Sequence, residues 1–328
     1  MNQVRLKSSF IYLANAVNDL RGNWSVLVVV LAPLALAAAL CFLPDALNLQ
    51  FQLAQKFAPG AQNINYVQAE SVDAPVKPAP LQEPQPFSPW VTMALHLVLL
   101  PLLSAVVTLV TMCSLKRIQG GVREPAIIGE AIEVYRQSIP LAPGFIWVTI
   151  LQLAAPAAGL FMFLELSAYV YESIGVGAYL VLVLMIVLGA LVYAWLYFAQ
   201  YALIFDGKHS WHALLFSRDL MRKHFFRVAT RIVVFVAVWS GYNSWAAGAF
   251  VVVSLLFGPV GVVTGFLGTT IFLVDLAQIS VNFATTAFLV AAGLRLYQDL
   301  REPEAAERVD SAAQSAMQAT APIKGVAL

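Results

Sequence analysis

The sequence predicts an all-α polytopic membrane protein with six transmembrane helices and short cytoplasmic interfacial helices between them. Three observations carry this. Of 328 residues, 60% are hydrophobic and 11% charged, whereas soluble domains carry roughly a quarter charged residues. Six apolar runs reach the length of about twenty residues that crosses a bilayer. The basic residues also alternate along the chain, and 17 of the 19 Lys and Arg fall on one side of the spans so drawn.

Residues 1–23 form a cytoplasmic amphipathic segment ahead of the first span, Trp24–Leu43. More than twenty residues precede that apolar run, which is long for a signal-peptide n-region, and Leu40 is too large for a cleavage site before Cys41. A retained first helix is therefore expected. Pro44 to Pro89 (residues 44–89) is read as an extracytoplasmic, proline-rich tether. The other spans are Trp90–Cys113, Pro143–Leu166, Ile174–Leu203, Val228–Leu256 and Val262–Leu294, so the membrane domain occupies residues 24–300. Cys41 and Cys113 fall near opposite faces and are not expected to pair. Glu165 and Glu172 flank a short outer loop, Phe257–Gly258–Pro259 is read as an outer turn, and residues 301–328 as a disordered cytoplasmic tail.

Three Lys or Arg precede the first span, four lie between the second and third, six lie in Asp206–Arg231 and four follow the sixth span. Only Lys56 and Lys77 fall on the other side. The positive-inside rule then places both termini in the cytoplasm.

Laying Gly121–Ile139 over Gly207–Phe225 without gaps brings Arg136 onto Arg222, Glu133 onto Asp219 and Val134 onto Leu220. Asn18, Arg21 and Trp24 fit the same frame, which suggests three units of one interfacial helix and one helical hairpin. In the second unit Ile128, Ile132, Tyr135 and Ile139 share an apolar face, with Glu130, Gln137 and Ser138 opposite. In the third, Trp211, Leu214, Leu215, Met221 and Phe225 share a face that has Arg218 and Arg222 in its middle, and Phe216 and Leu220 lie on the back. Such a helix suits the headgroup boundary, where arginine stems lie along apolar surface and the guanidinium reaches phosphate. Arg21, Arg136, Arg218, Arg222, Lys223 and Arg227 are the candidate contacts to anionic headgroups or to a membrane-protein partner.

Gly207, Ala213, Ser217 and Arg222, between the fourth and fifth of six spans, form a short G…A…S…L(V/M)(R/K) pattern. It resembles a motif in the YciC-like proteins and in the membrane domain attached to some glycerophosphodiester phosphodiesterases. The resemblance implies an α-helical protein of the bacterial inner membrane without established catalytic residues in this part. The soluble phosphodiesterase domain and its metal-binding carboxylates have no counterpart here.

The second candidate is an intramembrane polar cluster. Asp275 lies mid-span, where a charge costs at least about 2.5 kcal/mol and should face the protein interior. Gln278 and Asn282 extend a stripe from it. Ser240, Gly241, Asn243 and Ser244 are read as a break in the fifth span, a feature of transporter cavities. His96 is the intramembrane histidine that could join this cluster; interhelical hydrogen bonding is the plainer account of the same residues. Tyr193, Tyr197, Tyr201 and Trp195 read as an aromatic belt. Gly261 and Gly265 form a packing motif. His209 and His212, near Asp206 and His224, lack the ligand count of a metal site. No HExxH, GxSxG, phosphate-loop or CxxC pattern occurs. Neither a cofactor, a metal nor a nucleic-acid partner is expected. The leading expectation is a non-enzymatic protein that organises or regulates envelope components or lipids, with a small-molecule or lipid transporter around Asp275 as the alternative.

Overall fold

The computed structural model describes residues 6–57, 87–121, 126–154, 157–158, 175–264 and 267–320. Among them all regular structure is helical, and six helices are long and apolar enough to cross a membrane: Trp24–Leu49, Trp90–Gln119, Ile127–Ala154, Val187–Phe205, Ser210–Leu256 and Gly268–Arg301. The protein is an all-α polytopic membrane protein. Lys77, Glu165, Glu172, Gly265 and most of the proline-rich tether lie outside the described residues.

Helix α1 (Ser9–Arg21) is set by an apolar stripe of Tyr12, Leu13, Ala16 and Leu20, all buried. It stops at Gly22, where the Asn23 amide bonds the Leu20 carbonyl at 2.9 Å and the Asn23 side chain bonds the Asp19 carbonyl at 2.9 Å. Helix α2 (Trp24–Phe57) follows directly. It does not end at Leu43 as the sequence suggested. Pro44 removes one backbone donor from the ladder, but Pro44 and Ala46 are both buried against neighbouring helices, and that packing carries the helix on.

Helices α3 (Pro89–Ala94) and α4 (Leu100–Gln119) are joined by a π turn at Leu95–Leu99. Pro101 explains it: its ring would collide with the carbonyl four residues earlier, and the widened turn gives that carbonyl room. After α4, α5 (Ile127–Ser138) leads through a 3-10 turn at Ile139–Leu141 into α6 (142–154). Helix α7 (Gly175–Leu196) breaks at Tyr197–Phe198 before α8 (Ala199–Phe205). Helix α9 (Ser210–Thr264) bends at His224, the residue with non-helical angles (φ −132°, ψ 21°), and α10 (Leu267–Thr320) closes the bundle.

Several expectations need correction. Ser240–Ser244 is not a break: the helix runs through it, and the Asn243 side-chain amide N–H donates to the Trp239 carbonyl one turn back at 2.9 Å. The bend falls at His224 instead, where α9 leaves its basic segment. The helix continues past Phe257–Gly258–Pro259 to Thr264, and α10 runs to Thr320 rather than fraying at residue 301. Alanine and glutamate, frequent in that tail, are strong helix formers.

The amphipathicity of α5 is inverted relative to a soluble helix. Ile128, Ile132 and Ile139 are 68%, 63% and 71% exposed, while Glu130, Ala131, Val134 and Ser138 are buried. Lipid is as apolar as isoleucine, so nothing drives the isoleucines inward. In α9 likewise the packed side is Ala213, Ser217, Leu220 and Met221, and Trp211 faces outward.

The main core lies at the basic end of the bundle, where α1, α5, α8 and the ends of α4, α9 and α10 converge around Tyr12, Phe145, Phe198, Met221 and Tyr297. Tyr201 and Tyr297 stack at 5.8 Å. Gly293 is required there, because a methyl group would overlap the Tyr201 and Tyr197 hydroxyls. A smaller core farther along the spans joins Leu31, Ala35, Ala38 and Ala39 of α2 to Ile279, Phe283 and Ala287 of α10. The alanines let the two backbones approach closely. Cys41 and Cys113 are buried and free.

Candidate functional site

The basic surface is built on the α8–α9 junction. Gly207 adopts φ +63°, a conformation that glycine alone takes without steric cost, and turns the chain from α8 into α9. Beside it the buried Asp206 carboxylate accepts from the Tyr297 hydroxyl at 2.7 Å and pairs with Arg301 at 3.1 Å. Lys208 places its ammonium 3.3 Å from the centre of the Phe216 ring. The first turns of α9 are thereby held against the ends of α8 and α10.

Ser217 explains why α9 stays close to the broken fourth span. The break frees backbone groups that lipid cannot satisfy. The Ser217 hydroxyl donates to the Trp195 carbonyl at 2.8 Å and accepts the Phe198 amide at 3.1 Å. Gln152 of α6 donates to the Leu196 carbonyl, and the Tyr197 amide bonds the Ala194 carbonyl at 3.3 Å. The break is thus closed by side chains from two other helices. Gly207, Ala213 and Ser217 have architectural roles here, while Arg222 points outward.

All six basic residues singled out from the sequence, Arg21, Arg136, Arg218, Arg222, Lys223 and Arg227, are exposed. They are not equivalent. Arg136 lies 3.8 Å from Glu133 on its own helix, and Arg218 lies 3.2 Å from Asp219. Arg222 makes no ion pair or hydrogen bond among the described residues. Arg218 and Arg222, one helical turn apart, line with Trp195 a cavity of about 300 Å³. Its wall is chiefly carbon, the indole and the arginine stems. Phe225 meets Trp195 edge-to-face at 5.9 Å and backs it.

Residues that the sequence did not single out hold this end together. Arg117 is paired at 2.6 and 3.0 Å with Glu130, both nearly inaccessible. Arg295 forks onto Asp19 at 2.6 and 2.7 Å. The Tyr12 hydroxyl donates to Asp299 at 2.8 Å, with Lys7 3.5 Å from the same oxygen. Burial, followed by that bond to Asp299, raises the Tyr12 phenol well above the usual tyrosine range. Arg231 donates to the Lys7 and Leu6 carbonyls at 2.9 and 3.1 Å. A charge far away in sequence was the only available hint of each pair.

The intramembrane cluster assembles differently from expectation. His96 sits 3.3 Å from Asp45, with Phe42 packed on its ring at 4.8 Å. Asn243 bonds its own helix, and no hydrogen bond joins it, Gln278 or Asn282 to Asp275 among the described residues. Asp45 escaped the sequence reading because Pro44 placed it in a loop. Among the described residues no three metal-ligating side chains converge. No protein-family model, curated protein or solved structure matches the chain, so its chemistry is read from these side chains alone.

Proposed function

We propose that this chain is a non-enzymatic protein of the bacterial inner membrane, with both termini cytoplasmic, that organises or regulates lipids or envelope components through its basic interfacial helices. One observation carries the reading. Helix α9 presents Arg218, Arg222 and Lys223 outward just before the chain bends at His224 into the membrane span, with Arg227 exposed just after the bend, and Arg222 has no partner among the described residues. Basic groups at that depth face anionic headgroups, each contributing about 1 kcal/mol. The resemblance to the YciC-like proteins points the same way, and a membrane-protein partner with an acidic face is the other occupant of this surface.

The three-unit architecture belongs to the same reading. Its support is that Gly121 and Gly207, equivalent in the alignment, both take positive φ (68° and 63°) ahead of an interfacial helix. Ala16, Ala131 and Ser217 occupy one aligned position and all are buried, as are Val134 and Leu220.

Replacing Arg218, Arg222 and Lys223 together by Gln should reduce the preference of the reconstituted protein for anionic over zwitterionic lipid. An unchanged preference refutes the reading. The transporter alternative rests on the Asp45–His96 pair at 3.3 Å and on the mid-span carboxylate Asp275. Asp275→Asn in proteoliposomes should abolish substrate or proton flux if that alternative holds, and affect only stability if it does not.

A further inference from the structure

Resting on that reading, we propose that the cavity between Trp195, Arg218 and Arg222 is a discrete site for one anionic phospholipid, the phosphate held by the two arginines. The diffuse attraction of a basic helix for a charged surface needs no cavity and treats its basic residues alike. Here two of them are set apart. Arg218 and Arg222 stand at i and i+4 on the same face, and together with Trp195 they line a half-open cavity of about 300 Å³. Lys223 and Arg136 do not line that space.

The chemistry of the wall selects the ligand class. A site for free phosphate would surround the anion with donors. This one is lined almost only by carbon, from the indole and the arginine stems, and both arginines are exposed, free to turn their cationic ends to a phosphate at its mouth. A carbon-lined recess beside two exposed guanidinium groups matches the glycerol-and-acyl shoulder of a phospholipid next to its phosphate. Arg222 is the stronger anchor, because Asp219 already engages Arg218 at 3.2 Å whereas nothing in the described protein engages Arg222. The site is also rigid. Trp195 is the next-to-last residue of α7, its carbonyl accepts the Ser217 hydroxyl at 2.8 Å, and Phe225 braces the indole.

The test uses the full chain in detergent micelles doped with equal phosphatidylglycerol and phosphatidylcholine, with retained lipids counted by native mass spectrometry. Wild type is expected to retain one phosphatidylglycerol. Arg222→Gln and Arg218→Gln should each lower its retention about fivefold, and Trp195→Leu should lower it as well. Lys223→Gln and Arg136→Gln, which remove only diffuse charge outside the cavity, should lower it much less than either arginine variant. Arg222→Lys keeps the charge that orients the chain and loses the fork, so it reports on the site should a Gln variant fail to insert; full retention by Arg222→Lys counts against the forked site. Equal retention of both lipids by wild type overturns the site and the reading beneath it together. Phosphatidylglycerol selectivity that falls as much with Lys223→Gln or Arg136→Gln as with Arg222→Gln overturns the site alone and leaves a diffuse basic surface. Displacement of the lipid by equimolar inorganic phosphate also overturns the phospholipid assignment, leaving a simple anion site.

Discussion

Tyr12 ties the first helix to the last. Its hydroxyl reaches Asp299 at 2.8 Å and its ring is buried, so ionising the phenol is opposed by burial and by the neighbouring carboxylate. The folded phenol titrates above its unfolded value of about 10. The stability it contributes is therefore complete below about pH 10 and is lost as pH rises through the folded value. Thermal unfolding in detergent should show wild type losing stability above about pH 10 more steeply than Tyr12→Phe. At neutral pH that variant should be less stable by about 1.5 kcal/mol, the worth of one hydrogen bond to a charged acceptor. Parallel alkaline profiles for the two proteins would show that this contact has no part in the pH response. Arg117 and Glu130 make the complementary point. Two charges with side chains only 7% exposed hold each other in place, and either alone would be a costly buried ion.

At the scale of elements, the fourth span is a broken helix whose exposed ladder is repaired from outside. Ser217 serves one carbonyl and one amide, and Gln152 serves a second carbonyl. Ser217→Ala removes the first two bonds at a fully buried position and leaves both backbone groups unpaired. The expected cost is about 1–3 kcal/mol, read as a lower unfolding temperature, with retained lipid falling as Trp195 shifts. A variant as stable as wild type would mean that the break closes on its own. The bend at His224 works with this junction: it lets the first turns of α9 lie over the broken span while the remainder crosses the membrane.

For the whole molecule, the charge asymmetry and the position of the main core coincide. The end that carries α1, α5, the first turns of α9 and the last turns of α10 holds both the basic residues and the long-range ion pairs. Orientation is testable in a variant with Cys41 and Cys113 replaced by Ala. A cysteine at Ser88, exposed at the other end, should react with a membrane-impermeant maleimide in intact cells. One at the exposed Ser8 should react only after permeabilisation. The reverse pattern would invert the topology, and with it the leaflet from which the lipid is drawn.

The apolar runs and the imbalance of Lys and Arg by themselves determined the fold class and the number of spans. They also grouped most of the Lys and Arg at the segments between spans, because bilayer thickness and charge placement act along the chain. Periodicity could not say which side of a helix is buried. In lipid an isoleucine face is as content outside as inside, so α5 turned its isoleucines outward and its glutamate inward to Arg117. Nor could local composition place the interruptions. Pro44 and the polar residues at 240–244 looked disruptive, yet packing and bonds within the helix absorbed them, while Pro101, inside a span drawn unbroken, widened a turn. The true break at Tyr197–Phe198 lies in an aromatic stretch and persists because Ser217 and Gln152, distant in sequence, arrive to satisfy it. Those decisions belong to the tertiary structure, since a buried polar group is stable only with its partner and the partner's arrival depends on the whole bundle.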